Sequence, residues 1–116
     1  MAEARGRLAA ARATLASGFP PATVSLAYYA MLYAARAALS EEDLYAKTHS
    51  GTWLLFRETF VVNRRFDAEL FESAQKTLPL RLGADYDAAH VSQEQADAVV
   101  ELAERFLDSV EALYPN

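Results

Sequence analysis

The segment SLAYYAMLYAARAAL, Ser25 to Leu39, runs for fifteen residues with Arg36 as its only charge and with neither glycine nor proline. A helix that is apolar all round its circumference has no side to give to water, so other helices must enclose it. That requirement points to a helical bundle with this segment at its centre. Its alanines, among them Ala27, Ala30, Ala34 and Ala38, let neighbouring backbones come close. Tyr28, Tyr29 and Tyr33 add large apolar bodies whose hydroxyls need partners when buried. Successive residues lie about 100° apart around a helix. The tyrosines therefore point in at least two directions, and at least one is expected to reach a polar cleft or a subunit interface.

The flanking sequence supplies the enclosing helices. From Glu3 to Ala16, the residues Ala4, Leu8, Ala11 and Leu15 form one stripe, and SGFPP ends the helix with glycine followed by proline. Pro21 suits the first turn of the apolar helix, predicted over Pro21 to Leu39. SEEDLYAK is a polar break. A third helix, from about Thr48 to Val62, carries Trp53, Leu54, Phe56, Phe60 and Val61, with Asn63 as its stop. Asp67 caps a fourth, running to about Leu78. Pro79 and Gly83 interrupt the pattern. Ser92, with Gln95 three residues on, forms a capping box that opens the last helix, Ser92 to Leu113. Its apolar positions from Ala96 to Val110 recur every three or four residues. No strand is predicted. The expectation is an all-α, up-and-down bundle of four or five helices in one domain over residues 1–116, its apolar helix touching the first, third and last.

Composition excludes several functions. With no cysteine there are no disulfides, thiolate metal sites or thiol nucleophiles in these residues. Arg5, Arg7 and Arg12 break up the N-terminal stretch, so no signal-type apolar run is expected, and Ser25 to Leu39 is too short for a membrane span of ~20 residues. A cytoplasmic protein without membrane attachment is expected. The net charge of −5 is unevenly spread. Lys47 to Arg81 holds six basic and four acidic residues, whereas Asp85 onward holds eight acids and only Arg105. An acidic total disfavours indiscriminate nucleic-acid binding, while a local basic face still suits a phosphate.

Three blocks in order, SLAYYAMLYAARAAL, AKTHSG and RLGADYD, stand ahead of a long acidic amphipathic helix. Together they resemble the HEPN (higher eukaryotes and prokaryotes nucleotide-binding) domain, and more narrowly its small stand-alone bacterial and archaeal members. The resemblance covers about Arg5 to Ala112. It implies a helical bundle, usually a homodimer, often encoded beside a minimal nucleotidyltransferase with which it forms a toxin–antitoxin pair. In ribonuclease members an arginine is followed, after a short spacer, by a histidine. The motifs of two subunits meet in one cleft and cut RNA with neither metal nor other cofactor. The partner can silence the toxin by attaching AMP to a nearby tyrosine. Carried over, the arginine is Arg81, and after four intervening residues Tyr86 stands where ribonuclease members have histidine. Leu26 likewise stands where relatives often have arginine. The resemblance thus leaves open an RNA-cleaving toxin with a modified motif, a non-catalytic module that binds a nucleotide or the nucleotidyltransferase, and a simple dimerising module.

RNA cleavage without metal needs a base for the 2′-hydroxyl, an acid for the leaving oxygen and a cation for the phosphorane. Arg81 offers the cation as a bidentate fork. Tyr86, with an ordinary pKa of about 10, is a poor base near neutrality and suits an acid or orienting donor. Asp85 beside it completes the candidate catalytic set. Neither His49 nor His90 is brought to Arg81 by anything in the sequence. Lys47, Thr48 and His49 sit where the third helix begins, and free backbone N–H groups there favour an anion. Lys47, His49 and Tyr29 are accordingly candidate phosphate or nucleotide ligands, the alternative being that Thr48 caps the helix and His49 ties the loop down. His49 and His90 lack a third ligand at metal-site spacing. No glycine-rich phosphate loop, Ser–His–Asp arrangement or helix-turn-helix pattern is present.

Overall fold

The computed structural model describes residues 1–77 and 91–115. Within them are α1 (Ala2–Ala16), α2 (Pro20–Glu41), α3 (His49–Phe56), α4 (Ala68–Gln75) and α5 (Gln93–Leu113), with a π-helical turn, Arg57–Val61, continuing α3. No strand occurs among the described residues. The all-α expectation holds, and α2 is the central helix, packed by α1, α3 and α5. Pairings along α1 place it antiparallel to both long neighbours. Arg7 meets Tyr33 and Thr14 meets Thr23 on α2, while Arg5 reaches Glu111 and Arg12 reaches Glu104 on α5.

The turns follow from local chemistry. Gly18 has φ +78°, and the N–H groups of Gly18 and Phe19 donate to the carbonyls of Leu15 and Thr14. This is a Schellman stop, which puts a residue without a Cβ in the left-handed region. Both Pro20 and Pro21 then enter the first turn of α2, one residue earlier than the sequence pattern predicted, since neither needs an N–H there. The end of α2 repeats the device. Asp43 (φ 57°) takes the left-handed position, and the Leu44 and Asp43 N–H groups donate to Leu39 and Ser40. An L-residue at that position costs roughly 1–2 kcal/mol more than glycine.

The core is aromatic where α3 crosses α2 and α5. Phe56 is its hub, with ring centroids 4.9 Å from Phe60, 5.0 Å from Phe66, 5.7 Å from Phe106 and 6.0 Å from Phe71. The third helix was expected to stay α-helical to Val62. Instead its last turn widens, Val62 N–H reaching the Arg57 carbonyl, and the Phe60 carbonyl accepts from both Arg65 and Phe66. This geometry keeps Phe56, Phe60 and Phe66 on one centre while the chain turns towards α4. Leu54, expected with the core residues, is 55% exposed, because Trp53 and Phe56 take the inward positions around it. The capping box at Ser92 and Gln95 is present as predicted, and Asp67 caps α4 through the Glu69 N–H.

The acidic α5 does not stand as a free negative face. Arg5 pairs with Asp108 at 2.8 Å and with Glu111, and Arg12 pairs with Glu104. Just past the C-terminus of α5 the Tyr114 hydroxyl donates to Glu42, whose second oxygen accepts from Arg65 at 3.4 Å. Arg65 also lies over the rings of Phe60 and Tyr114, at 4.9 and 5.8 Å. The Tyr114 hydrogen bond, seconded by Arg65, holds the Glu42 carboxyl below its ordinary range. A depressed carboxyl adds stability above its unfolded pKa and loses it as pH falls. Glu42→Gln should therefore lower the thermal midpoint at pH 7, with the gap to wild type closing as pH drops below the ordinary carboxyl value of 4.5. Asp43→Gly should raise stability by about 1 kcal/mol in denaturant titration, and Ala34→Leu, at a fully buried α2 position, should lower it by about 1–3 kcal/mol through overpacking.

Candidate functional site

One stripe of α2 is only half covered: Ser25, Leu26, Tyr29, Tyr33, Arg36 and Ala37, recurring at helical spacing. The three tyrosines divide as their angular separation requires. Tyr28 is 1% exposed, and its hydroxyl accepts from the Trp53 indole N–H at 3.0 Å inside the core. Tyr29 and Tyr33 lie on the half-covered stripe, with ring centroids 6.4 Å apart. The first residue of α3, His49, sits against both neighbouring phenols, 6.0 Å from Tyr28 and 5.6 Å edge-on to Tyr29. On the opposite flank, α1 lays the Arg7 guanidinium over the Tyr33 ring at 5.1 Å.

Thr48 does cap α3: its hydroxyl oxygen accepts from the Gly51 N–H at 2.9 Å. Gly51 is part of the cap, since a Cβ there would stand 2.7 Å from the Thr48 oxygen. Lys47 is exposed and forms no ion pair among the described residues. The structure thus brings His49 and Tyr29 together, and shows no contact joining Lys47 to them. Arg81, Asp85 and Tyr86, together with His90, lie outside the described residues.

One arrangement went unassigned in the sequence. The fully buried Thr52 donates its hydroxyl hydrogen to the Thr48 carbonyl at 2.8 Å, leaving its lone pairs to accept from Arg36 Nε at 3.2 Å. Arg36 is half-buried and one turn beyond Tyr33. Its being the single charge in the apolar segment was the available signal; its anchor, sixteen residues away, was not visible. Elsewhere, a surface cleft of about 480 Å³ at the far end of α2 is lined by Ala37, Glu41, Glu111 and Tyr114 among others. Its carboxylates make it a poor receptor for phosphate.

Comparison with known proteins fits this architecture. A family model described as the HEPN domain matches residues 1–113. The chain belongs to the HEPN family. A UPF0332 protein of Gloeobacter violaceus is 35% identical over 109 residues, which is 92% of this chain and 86% of that protein. Two proteins of Methanocaldococcus jannaschii, each bearing the name "Putative toxin", are both 33% identical, over 93 and 88 residues. Those matches take in 79% and 75% of this chain but 63% and 65% of the relatives. The chain thus spans less than two thirds of the length of either toxin-named relative.

In this HEPN chain the start of α3 is where His49 and Tyr29 meet, so the Thr48 cap has a positional role as well as an energetic one. No described helix is long and apolar enough to cross a membrane. Thr48→Ala should cost about 1 kcal/mol of stability. Gly51→Ala should gain ~0.5–1 kcal/mol from helix propensity in that background, and give no such gain beside the native threonine, where the new methyl displaces the capping oxygen. A double-mutant cycle in urea reads this coupling.

Proposed function

We propose that this chain is the HEPN component of a toxin–antitoxin-like pair with a minimal nucleotidyltransferase, acting as a cytoplasmic homodimer that cleaves RNA without a metal. The observation that carries this is the HEPN match over residues 1–113 together with two toxin-named relatives. In this reading the whole chain is one domain, and Arg81, Tyr86 and Asp85 from two copies converge on a shared groove. Arg81 neutralises the phosphorane. A base takes the 2′-hydroxyl proton, the 2′-oxygen attacks phosphorus, and the 5′-oxygen departs with a proton from an acid, for which Tyr86 is the motif's candidate. Asp85 orients Tyr86 from the neighbouring position. Lys47, His49 and Tyr29 hold a phosphate or nucleotide beside the groove. The edge-on contact of His49 with Tyr29 supports a joint role for those two.

A second reading rests on Tyr86 standing where ribonuclease members have histidine. There the protein has lost cleavage and offers the nucleotidyltransferase a nucleotide- or partner-binding surface. Expression of the chain alone separates the two. Growth arrest with RNA fragments of defined ends is expected from the ribonuclease, unchanged by EDTA, abolished by Arg81→Ala, and relieved when the nucleotidyltransferase is co-expressed and AMP appears on Tyr86. Arrest that persists undiminished in Arg81→Ala would remove the cleavage mechanism. Intact RNA and normal growth, with complex formation on co-expression, would select the binding module.

A further inference from the structure

The half-covered stripe of α2 ends in a guanidinium with an unusual setting. Arg36 is the single charge of the segment Ser25 to Leu39, and its Nε is spent on Thr52. Thr52 is itself held by the Thr48 carbonyl, so the anchor cannot swing away. With Nε tied, rotation of the guanidinium is restricted, and its two terminal NH2 groups are left for other partners. Among the described residues neither of them has a carboxylate or other hydrogen-bond partner. The other half-buried arginines, Arg5 and Arg7, pair with acids, whereas Arg57, Arg64 and Arg105, which have no ion pair among the described residues, are exposed to water. A half-buried arginine left without a counter-ion is costly unless something anionic visits it, and a pre-oriented guanidinium fork matches the oxygens of a phosphate.

The surroundings suit a nucleotide. Tyr33 lies one turn before Arg36 and Tyr29 lies two turns before it, about 10 Å along the helix axis at 1.5 Å per residue. That is near the span from a base to the phosphate of the same or the next nucleotide, and aromatic faces stack bases of any identity. Arg7 lies over the Tyr33 ring with its charge paired to Glu3, so no unpaired acid is added at that flank.

We infer that Arg36 is a phosphate-binding residue, set by Thr52 as a positioning residue, and that the half-covered stripe of α2 beside α3 takes a nucleotide phosphate with its base towards Tyr29 and Tyr33. The site deepens the proposed function and rests on its nucleotide or RNA ligand, though the anion receptor itself is testable without it. The phosphate comes from a free nucleotide or from an RNA backbone, and affinity separates the two sources.

The test titrates the full chain with three probes: inorganic pyrophosphate, a nucleoside 5′-monophosphate, and a short single-stranded oligoribonucleotide. The Arg36 Nε–H resonance is followed by NMR and binding by fluorescence. The expected result is a shift of the Nε–H with every phosphate probe. Arg36→Ala should bind the tighter nucleotide probe about ten- to hundredfold more weakly, and lower the salt slope for the oligonucleotide by about one. Arg36→Lys keeps the charge without the fork and should recover little. Thr52→Val should weaken binding while Thr52→Ser restores it, a pattern that loss of packing alone does not produce. A mononucleotide that binds as tightly as the oligonucleotide identifies a free nucleotide as the ligand; tighter binding of the oligonucleotide identifies RNA. Nucleotide binding equal in wild type and Arg36→Ala would overturn the site and leave the nucleotide reading standing. A pyrophosphate response at Arg36 with no nucleotide affinity would uphold the anion receptor and overturn the nucleotide as its occupant. No response to any probe would overturn both.

Discussion

The hydrogen bond from the Trp53 indole to the Tyr28 hydroxyl joins the two helices on which the candidate site depends. It lies inside the core, where neither group has water as an alternative, so breaking it leaves a buried donor unsatisfied at about 1–3 kcal/mol. It also sets register. With Trp53 seated on Tyr28, the preceding turn of α3 carries His49 onto Tyr29, and the residue before Trp53, Thr52, falls beneath Arg36. A shift of α3 by one residue would rotate its side chains by about 100° and undo both contacts.

The polar groups near this bond form a graded series from core to surface. The Trp53 indole N–H is satisfied by the Tyr28 hydroxyl oxygen inside the core, Thr52 bridges the Thr48 carbonyl and Arg36, and Arg36 lies on the half-covered stripe. That is how an apolar segment carries a charge at all: Nε is tied within the fold, and the residue stays half-exposed to water. The same logic places Arg7 on the Tyr33 face, where its stem covers apolar surface and its head keeps a link to Glu3 at 3.5 Å.

Charge elsewhere is arranged differently. The arginines of α1 and the acids of α5 face each other along an antiparallel pair, and Glu104, Asp108 and Glu111 are paired across it. Such exposed pairs add little stability singly. Their effect is to favour one rotational setting of α1 and to leave Arg36 as the described half-buried arginine without an acid.

Much of this fold was legible because it is local. Gly18 before two prolines, the Ser92–Gln95 box and the Asp67 cap each depend on residues within a turn of one another, and the three- and four-residue apolar spacing of α5 needs no partner to be seen. The enclosure of Ser25 to Leu39 follows equally from hydrophobicity alone. Less was legible where the outcome depended on what packs against what. The π turn at Arg57–Val61 keeps Phe56, Phe60 and Phe66 on one centre, and Leu54 and Trp53, adjacent and both apolar, are separated into surface and core by where α2, α4 and α5 lie. The candidate site divides in the same way. The sequence by itself determined that a phenol-bearing helix would be surrounded and that His49 would stand at a helix start beside a threonine cap, since hydrophobicity and capping act over a few residues. Only the tertiary structure decided which tyrosine is core and which stay on the half-covered stripe, and that Thr52 anchors Arg36, because contacts across sixteen or more residues depend on how helices dock.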